Sequence, residues 1–246
     1  MLPFILLILM LISLGNLLYF KALGVIILVR IFKSVTSILF VLIAAASYKY
    51  CPKNKKYFRF MLTGFIFALI GDIFLSISHN GLFFILGLGS FSLAHVMYTI
   101  AFCALIKISW KDTILALTIA IPTICFVIFK DGFDFNGMFP LIIFYILLIS
   151  MMVAKAFSLL KLKNGNILPI ALIISGAVLF YISDFILLFV YYYKHKITIL
   201  PYLNLVVYYF GQGLLALNFI KEIKIKELGI LSSKLPRHKN KNLQEF

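Results

Sequence analysis

Charge is scarce in this chain. Only 13% of its 246 residues are charged and only eight are acidic, whereas 63% are hydrophobic and the mean hydropathy is +1.10. About a quarter of the residues of a soluble domain are charged, so this composition excludes a soluble globular fold. It predicts an all-α protein, a polytopic bundle of transmembrane helices.

Cysteine is also rare. Cys51, Cys103 and Cys125 are scattered, and none stands in a CxxC pair. We therefore expect no disulfide framework and no metal site built on cysteine, and we expect no cofactor. The first 20 residues lack both a basic region and an A-x-A cleavage site. We interpret them as a retained first helix, not as a signal peptide that is removed.

Long hydrophobic runs, in contrast, fill nearly the whole chain. A helix crosses a membrane with about 20 mostly apolar residues, and eight such segments are present. They are predicted at 2–20, 31–50, 59–79, 83–106, 113–130, 138–160, 167–193 and 201–221. The predicted organisation is an integral membrane domain over residues 1–221, followed by a basic cytoplasmic tail over residues 222–246.

The basic residues lie mostly on one side of the predicted membrane. The side that carries both termini holds 17 of the 23 Lys and Arg residues, and the other side holds five. Because basic loops stay in the cytoplasm, we expect both termini to be cytoplasmic, in a bacterial inner (cell) membrane. The net charge of +15 then suits the anionic headgroups of a lipid bilayer, not nucleic acid.

Two short stretches of the chain resemble each other. GFIFALIGD at 64–72 and GAVLFYISD at 176–184 both carry a glycine eight residues before an aspartate. The offset of 112 residues moves the third predicted helix onto the seventh. This predicts two parallel four-helix repeats, related by an axis along the membrane normal. Chance similarity between two apolar helices is the alternative.

Two aspartates, Asp72 and Asp184, lie inside predicted spans, whereas the other six acidic residues fall in predicted loops or the tail. An ionisable residue at the membrane centre costs at least about 2.5 kcal/mol, so such residues usually serve a site. Lys33 and His95 are embedded as well, and a rise of about 1.5 Å per residue puts all four at compatible depths. Further polar residues near these depths are Tyr98, Tyr208, Tyr209 and Gln212. We expect one polar pocket in the outer half of the bundle.

Such a pocket favours acid–base chemistry. Two carboxyls that share a buried site rarely both ionise, which places an acid beside a base. Lys33 would supply a positive charge for one aspartate or for a substrate phosphate. A structural role, in which these side chains only join helices by hydrogen bonds, is the alternative.

A longer set of residues carries a family resemblance. Its members are Gly71-Asp72, Phe84, Gly87, Phe91, His95, Tyr98, Phe102, Gly176-Ala177, Phe180, Ser183-Asp184, Tyr208-Tyr209 and Gln212. In order and spacing this set, over about residues 25–220, resembles the YhhN-like family of membrane lysoplasmalogenases. Lys33 resembles the lysine of that family's second helix, which a proline follows there and Ser34 follows here.

The resemblance implies hydrolysis of the vinyl ether bond of a lysoplasmalogen, giving a fatty aldehyde and glycerophospho-ethanolamine or -choline. A vinyl ether is protonated at carbon and water then captures the oxocarbenium ion, which requires an acid and a carboxylate, as in glycoside hydrolysis. The implied catalytic residues are Asp72, Asp184 and His95. The implied substrate-binding residues are Lys33, Tyr98, Tyr208, Tyr209 and Gln212. The partner is then a lysophospholipid that enters from the bilayer.

Other interpretations use the same aspartates. An intramembrane aspartyl protease of the presenilin type carries Tyr-Asp and Gly-x-Gly-Asp, whereas this chain has Ser183-Asp184 and Ile70-Gly71-Asp72. A proton-coupled transporter or channel would combine an aspartate pair with repeat symmetry. Another intramembrane lipid hydrolase would need the same acid and base. A lipid-binding protein without catalysis would tolerate Asp→Asn changes.

Overall fold

Eight long helices build the protein. The computed structural model describes residues 1–48, 54–78, 81–135, 137–162 and 167–220. The helices are α1 (Leu2–Ala22), α2 (Ile26–Ser47), α3 (Lys55–Ile77), α4 (Gly81–Leu105), α5 (Trp110–Phe129), α6 (Phe139–Ser158), α7 (Ile167–Tyr192) and α8 (Leu200–Leu217). All eight are long and apolar enough to cross a membrane. The prediction of an all-α transmembrane bundle is confirmed.

Three predicted helix starts lie too late in the chain, because α2, α3 and α5 begin at Ile26, Lys55 and Trp110 and not at 31, 59 and 113. α2 begins at Ile26, just after the turn at Gly24, whose φ of +72° is open to glycine without strain. The predicted start was residue 31, which left Arg30 outside the span. Instead Arg30 lies on the exposed side of α2 and donates a hydrogen bond to the Ile77 carbonyl at 3.3 Å. Lys33 is consequently about two turns inside the helix, not one.

Some predictions fall outside the described residues. The basic tail at 222–246 is one of them, and residues 49–53 of the predicted basic loop at 49–59 are another. The cytoplasmic position of both termini also stays a prediction.

The two halves of the bundle share most of their helix neighbours, except that α1 also contacts α8 whereas the equivalent pair, α5 and α4, is not among the packed pairs. In the first half α1 packs on α2, α2 on α3 and α3 on α4, and the second half repeats this order from α5 to α8. Across the halves, α2 packs on α8 and α4 packs on α6. If α1–α4 correspond to α5–α8, then α2 corresponds to α6 and α4 to α8, so these two contacts are equivalent. The pattern of neighbours therefore agrees with two parallel four-helix repeats.

Glycines allow two of the helix pairs to approach closely. A Cβ atom added to Gly71 would lie 2.8 Å from the ring of Phe91 on α4. A Cβ atom added to Gly176 would lie 2.8 Å from the carbonyl oxygen of Gly211 on α8. Small residues of this kind let transmembrane helices come together. Because Gly71 directly precedes Asp72, the α3–α4 crossing also sets the position of that aspartate.

A buried ion pair between α5 and α6 corrects the sequence prediction for Asp112. It was assigned to a loop, but it lies in the first turn of α5 and is 2% exposed. Lys155 of α6, which lies inside the predicted span 138–160, is fully buried, with its Nζ 2.9 Å from Asp112 Oδ2 and 2.9 Å from the Lys107 carbonyl. Lys161 Nζ lies 3.4 Å from Oδ1, and the Ser109 amide donates to Oδ2 at 2.9 Å. These contacts explain how a carboxylate is buried at the end of an apolar run.

Candidate functional site

Asp72 of α3 is held by polar groups from two other helices. Lys33 Nζ on α2 lies 3.4 Å from Asp72 Oδ1. Ser37 on α2 and Tyr208 on α8 donate hydrogen bonds to Oδ2 at 2.7 and 2.8 Å. Asp72 is 2% exposed, so an ion pair and two hydroxyl donors compensate its burial. This arrangement stabilises a negative charge on the carboxylate.

Tyr209, next to Tyr208 on α8, fixes the backbone and side chains of α2. Its hydroxyl donates to the Lys33 carbonyl at 3.0 Å and lies 3.0 Å from Ser37 Oγ. Tyr209 is fully buried. It therefore supports the two α2 residues that contact Asp72.

Asp184 of α7 has a different set of partners. The Tyr145 hydroxyl on α6 donates to Asp184 Oδ2 at 2.6 Å. His95 Nε2 on α4 lies 2.9 Å from that hydroxyl and 3.3 Å from the same carboxylate oxygen. His95 is fully buried, whereas the Asp184 side chain is 11% exposed. Tyr145 thus joins the predicted histidine to the predicted aspartate.

The sequence analysis missed Tyr145. A tyrosine inside an apolar helix is too common to single out, but the repeat carries a signal for this one. The offset of 112 residues that relates Asp72 to Asp184 also relates Lys33 to Tyr145. Applied to every embedded polar residue, the offset identifies Tyr145.

The other oxygen of Asp184 has only a long contact among the described residues, with Ser183 Oγ at 3.5 Å from Oδ1. The Ser183 hydroxyl itself donates to the Phe180 carbonyl at 2.7 Å. Asn204 on α8 donates to the Ser183 carbonyl at 2.7 Å, which ties α8 to the backbone beside Asp184.

A polar pocket of about 440 Å³ brings both aspartates together. It is lined by Lys21, Lys33, Asp72, Leu75, Phe91, Asp184, Leu187, Val190, Tyr191, Lys196, Pro201, Asn204, Leu205 and Tyr208. Four of the predicted site residues, Lys33, Asp72, Asp184 and Tyr208, therefore face one cavity.

An apolar cavity of about 50 Å³ adjoins this pocket. Its walls come from Leu75, Phe84, Leu88, Phe91, Thr123, Ile142, Tyr145, Ile146, Ile149, Tyr181, Asp184, Phe185, Leu187, Leu188, Tyr191 and Tyr192. Asp184 lines both cavities, as do Leu75, Phe91, Leu187 and Tyr191. One carboxyl thus stands where a charged cavity meets an apolar one.

The remaining predicted site residues line neither cavity. His95, Tyr98, Tyr209 and Gln212 are all fully buried. Tyr98 donates a hydrogen bond to Gln212 Oε1 at 3.2 Å, so these two residues join α4 to α8. Contact of these four side chains with a substrate stays a prediction. In the structure these four side chains contact other protein groups.

The described residues offer no set of ligands for a metal ion. Within the described part of the chain, no three His, Cys, Asp or Glu side chains lie close enough to hold a metal ion.

Comparison with known proteins identifies one family. No curated protein and no solved structure matches the chain. The model of the YhhN family matches residues 28–219, a range that contains Lys33, Asp72, Asp184 and all other predicted site residues. The chain belongs to the YhhN family.

Proposed function

We propose that this protein hydrolyses the vinyl ether bond of lysoplasmalogens inside the membrane. The products are a fatty aldehyde and the glycerophospho-headgroup. One observation carries the proposal: Asp184 lines both a cavity that contains lysines and a cavity that is almost wholly apolar. A lysophospholipid has a phosphate at one end and a single hydrocarbon chain at the other, so it fits these two surroundings at once.

The two cavities suggest how the lipid binds. The phosphate lies in the polar pocket near Lys33, since a lysine binds phosphate as a point charge. The part of the hydrocarbon chain next to the vinyl ether lies in the apolar cavity, whose volume of about 50 Å³ is too small for the whole chain, and the rest extends towards the bilayer. The vinyl ether, which joins the chain to the glycerol, then lies between them, beside Asp184.

The proposed reaction begins with proton transfer from Asp184 to carbon 2 of the alkenyl chain. This step produces an oxocarbenium ion at carbon 1. Water adds to carbon 1 and returns one proton to Asp184. The hemiacetal then breaks its bond to the glycerol oxygen as the proton of its hydroxyl moves to that oxygen. The net change consumes one water and regenerates the acid.

Asp72 is the partner carboxylate in this scheme. Lys33, Ser37 and Tyr208 already stabilise its negative charge. A fixed negative charge across the same cavity lowers the energy of the oxocarbenium ion as it forms. Two aspartates in different surroundings thereby take different roles, as in glycosidases.

Tyr145 and His95 act as positioning residues. Their contacts engage Oδ2 of Asp184 and leave Oδ1 with the single long contact to Ser183. Oδ1 is therefore the proposed proton donor. Contacts of this kind hold a reacting group in one orientation.

Product release from a matched set of lipids tests the proposal. The purified protein in nonionic detergent is given 1-alkenyl, 1-alkyl and 1-acyl lysophospholipids with the same chain length and headgroup. We expect aldehyde from the alkenyl lipid only, with one deuterium at carbon 2 when the solvent is D₂O. Fatty acid from the acyl lipid would indicate another lipid hydrolase. Absence of aldehyde in every condition would contradict the proposal.

A proton-coupled transporter is the second candidate. The similar helix neighbours in the two halves favour it, because many transporters consist of repeats. Against it, each of the eight described helices runs without interruption, whereas transporter sites commonly use broken helices. Proton-driven lipid flux in proteoliposomes, without aldehyde release in detergent, would support transport over hydrolysis.

A further inference from the structure

Two lysines outside the predicted site also line the polar pocket. Lys21 is at the C-terminal end of α1, and Lys196 is in the connection between α7 and α8. Together with Lys33 on α2 they bring three ammonium groups to one cavity. Three separate parts of the chain therefore supply the same charge.

Among the described residues, Lys21 and Lys196 contact only groups without a negative charge. Lys21 Nζ lies 5.7 Å from the centre of the Tyr202 ring, and Lys196 Nζ donates to the Val190 carbonyl at 3.1 Å. Neither has an ion-pair partner among the described residues, whereas Lys33 is paired with Asp72. Three lysines and two aspartates line the cavity, so its lining is net positive even when both carboxyls are ionised.

A positive lining discriminates between headgroups. Lysine ammonium groups attract phosphate oxygens, but they repel the ammonium group of ethanolamine or choline. Aromatic faces can bind such cations. Here, however, the rings of Phe91 and Tyr208 pack edge to face at 5.9 Å and are 6% and 5% exposed. The ring of Tyr191, the third aromatic residue of the lining, packs edge to face with Phe84 at 5.0 Å. These rings are engaged with other protein rings and do not form an open cage.

We propose that this pocket selects lysophospholipids whose headgroup is net anionic, a phosphate monoester or a phosphoglycerol, over those with ethanolamine or choline. The assignment of the lipid class rests on the proposed function. The preference for charge rests on Lys21 and Lys196 alone and is measured separately from hydrolysis.

Binding of lipids that cannot be hydrolysed tests the preference. The purified protein in nonionic detergent is titrated with 1-alkyl lysolipids of one chain length that carry phosphate, phosphoglycerol, phosphoethanolamine or phosphocholine. We expect the two anionic lipids to bind about fivefold or more tightly than the two zwitterionic ones. Because the phosphate monoester carries more negative charge, the lipid with that headgroup should also bind more tightly than the phosphoglycerol lipid. Equal affinities, or tighter binding of a zwitterionic lipid, would overturn the proposal.

Variants locate the effect. Lys21→Gln and Lys196→Gln are each expected to reduce the anionic preference several-fold, and Lys21→Arg and Lys196→Arg to retain it. Lys194→Gln is the matched control, because Lys194 is exposed, lies two residues from Lys196 and lines neither cavity. A preference that survives both Gln substitutions together, in protein with unchanged thermal unfolding, would overturn the role of these lysines.

Hydrolysis is measured as a second, independent test of the headgroup preference. Aldehyde release from alkenyl lipids with the same four headgroups should follow the order of the binding affinities. Binding selectivity without aldehyde release would contradict the proposed function and support the headgroup proposal. Aldehyde release without headgroup selectivity in binding or turnover would support the function and overturn the headgroup proposal.

Discussion

Lys33 and Tyr145 each lie 39 residues before the aspartate that they contact. Asp72 thereby has an ammonium partner, and Asp184 has a hydroxyl partner at the matching place in the second half. Each carboxyl also meets a residue from the last helix of the other half, Tyr208 for Asp72 and His95 for Asp184. The two carboxyls occupy similar positions in the bundle but unlike chemical surroundings. This difference is what an acid and a carboxylate of one reaction require.

Removal of the Tyr145 hydroxyl should impair turnover more than binding. Tyr145→Phe keeps the ring in the apolar wall but deletes the group that joins His95 to Asp184. A hydrogen bond to a charged group contributes about 1.5–3 kcal/mol, so kcat should fall about 10- to 100-fold with little change in KM. Tyr57→Phe is the control, since it loses a buried hydroxyl contact with Asn218 away from both cavities. An unchanged kcat in Tyr145→Phe would exclude the positioning role.

Loss of the Lys33 ammonium should destabilise the protein through Asp72. Lys33→Gln leaves a buried carboxylate without its counter-charge. We expect a cost of about 2 kcal/mol, less than for a fully buried pair, because the Lys33 side chain is 14% exposed. Added Asp72→Asn should recover part of the unfolding midpoint in detergent but no activity. If the two substitutions have additive effects on stability, the ion pair makes no net contribution.

Asp112 and Lys155 should affect stability and not catalysis. Asp112→Asn leaves the fully buried ammonium of Lys155 without a charge partner, which costs about 3–5 kcal/mol. The joint change Asp112→Leu and Lys155→Met removes both charges and should restore much of the unfolding midpoint. Aldehyde release per folded molecule should be the same in all three proteins. A selective loss of turnover in Asp112→Asn would place this ion pair in the functional machinery.

The α7–α8 crossing should tolerate no side chain at Gly176. A Cβ atom there would lie 2.8 Å from a backbone oxygen, which cannot rotate away, so Gly176→Ala should destabilise by about 1–3 kcal/mol. Gly89→Ala in α4 is the matched control, because a Cβ atom there meets nothing within 4 Å. That change should be neutral or slightly stabilising, since alanine is the better helix former. Equal unfolding midpoints for the two variants would contradict the close approach.

The sequence predicted the membrane fold well, because a span of about 20 apolar residues is dictated by bilayer thickness. It also drew attention to Asp72 and Asp184, since charge inside an apolar span is rare; the two line one pocket, and their catalytic role stays a prediction. Helix ends were harder to predict. Arg30 fell just outside the predicted span 31–50, although it lies within α2 with its side chain on an exposed face.

The composition of the chain could not predict the contacts between helices. Asp112 and Lys155 neutralise each other across α5 and α6, so neither behaves as its hydropathy suggests. Tyr98 and Gln212 were expected beside a substrate, and in the structure Tyr98 donates a hydrogen bond to Gln212 while neither side chain lines a cavity. Tyr145 has no local signal at all, and only the repeat reveals it. Partner choice depends on which helices become neighbours, which no single segment encodes.

The most direct measurement of the central claim is aldehyde release from an alkenyl lysophospholipid by wild type, Asp72→Asn and Asp184→Asn. Asp131→Asn serves as the control, because Asp131 is an exposed loop residue that lines neither cavity. The account predicts release by wild type and the control, and a loss of at least about 100-fold in both site variants, with unfolding midpoints that show folded protein. Wild-type rates in a folded Asp184→Asn variant would contradict it.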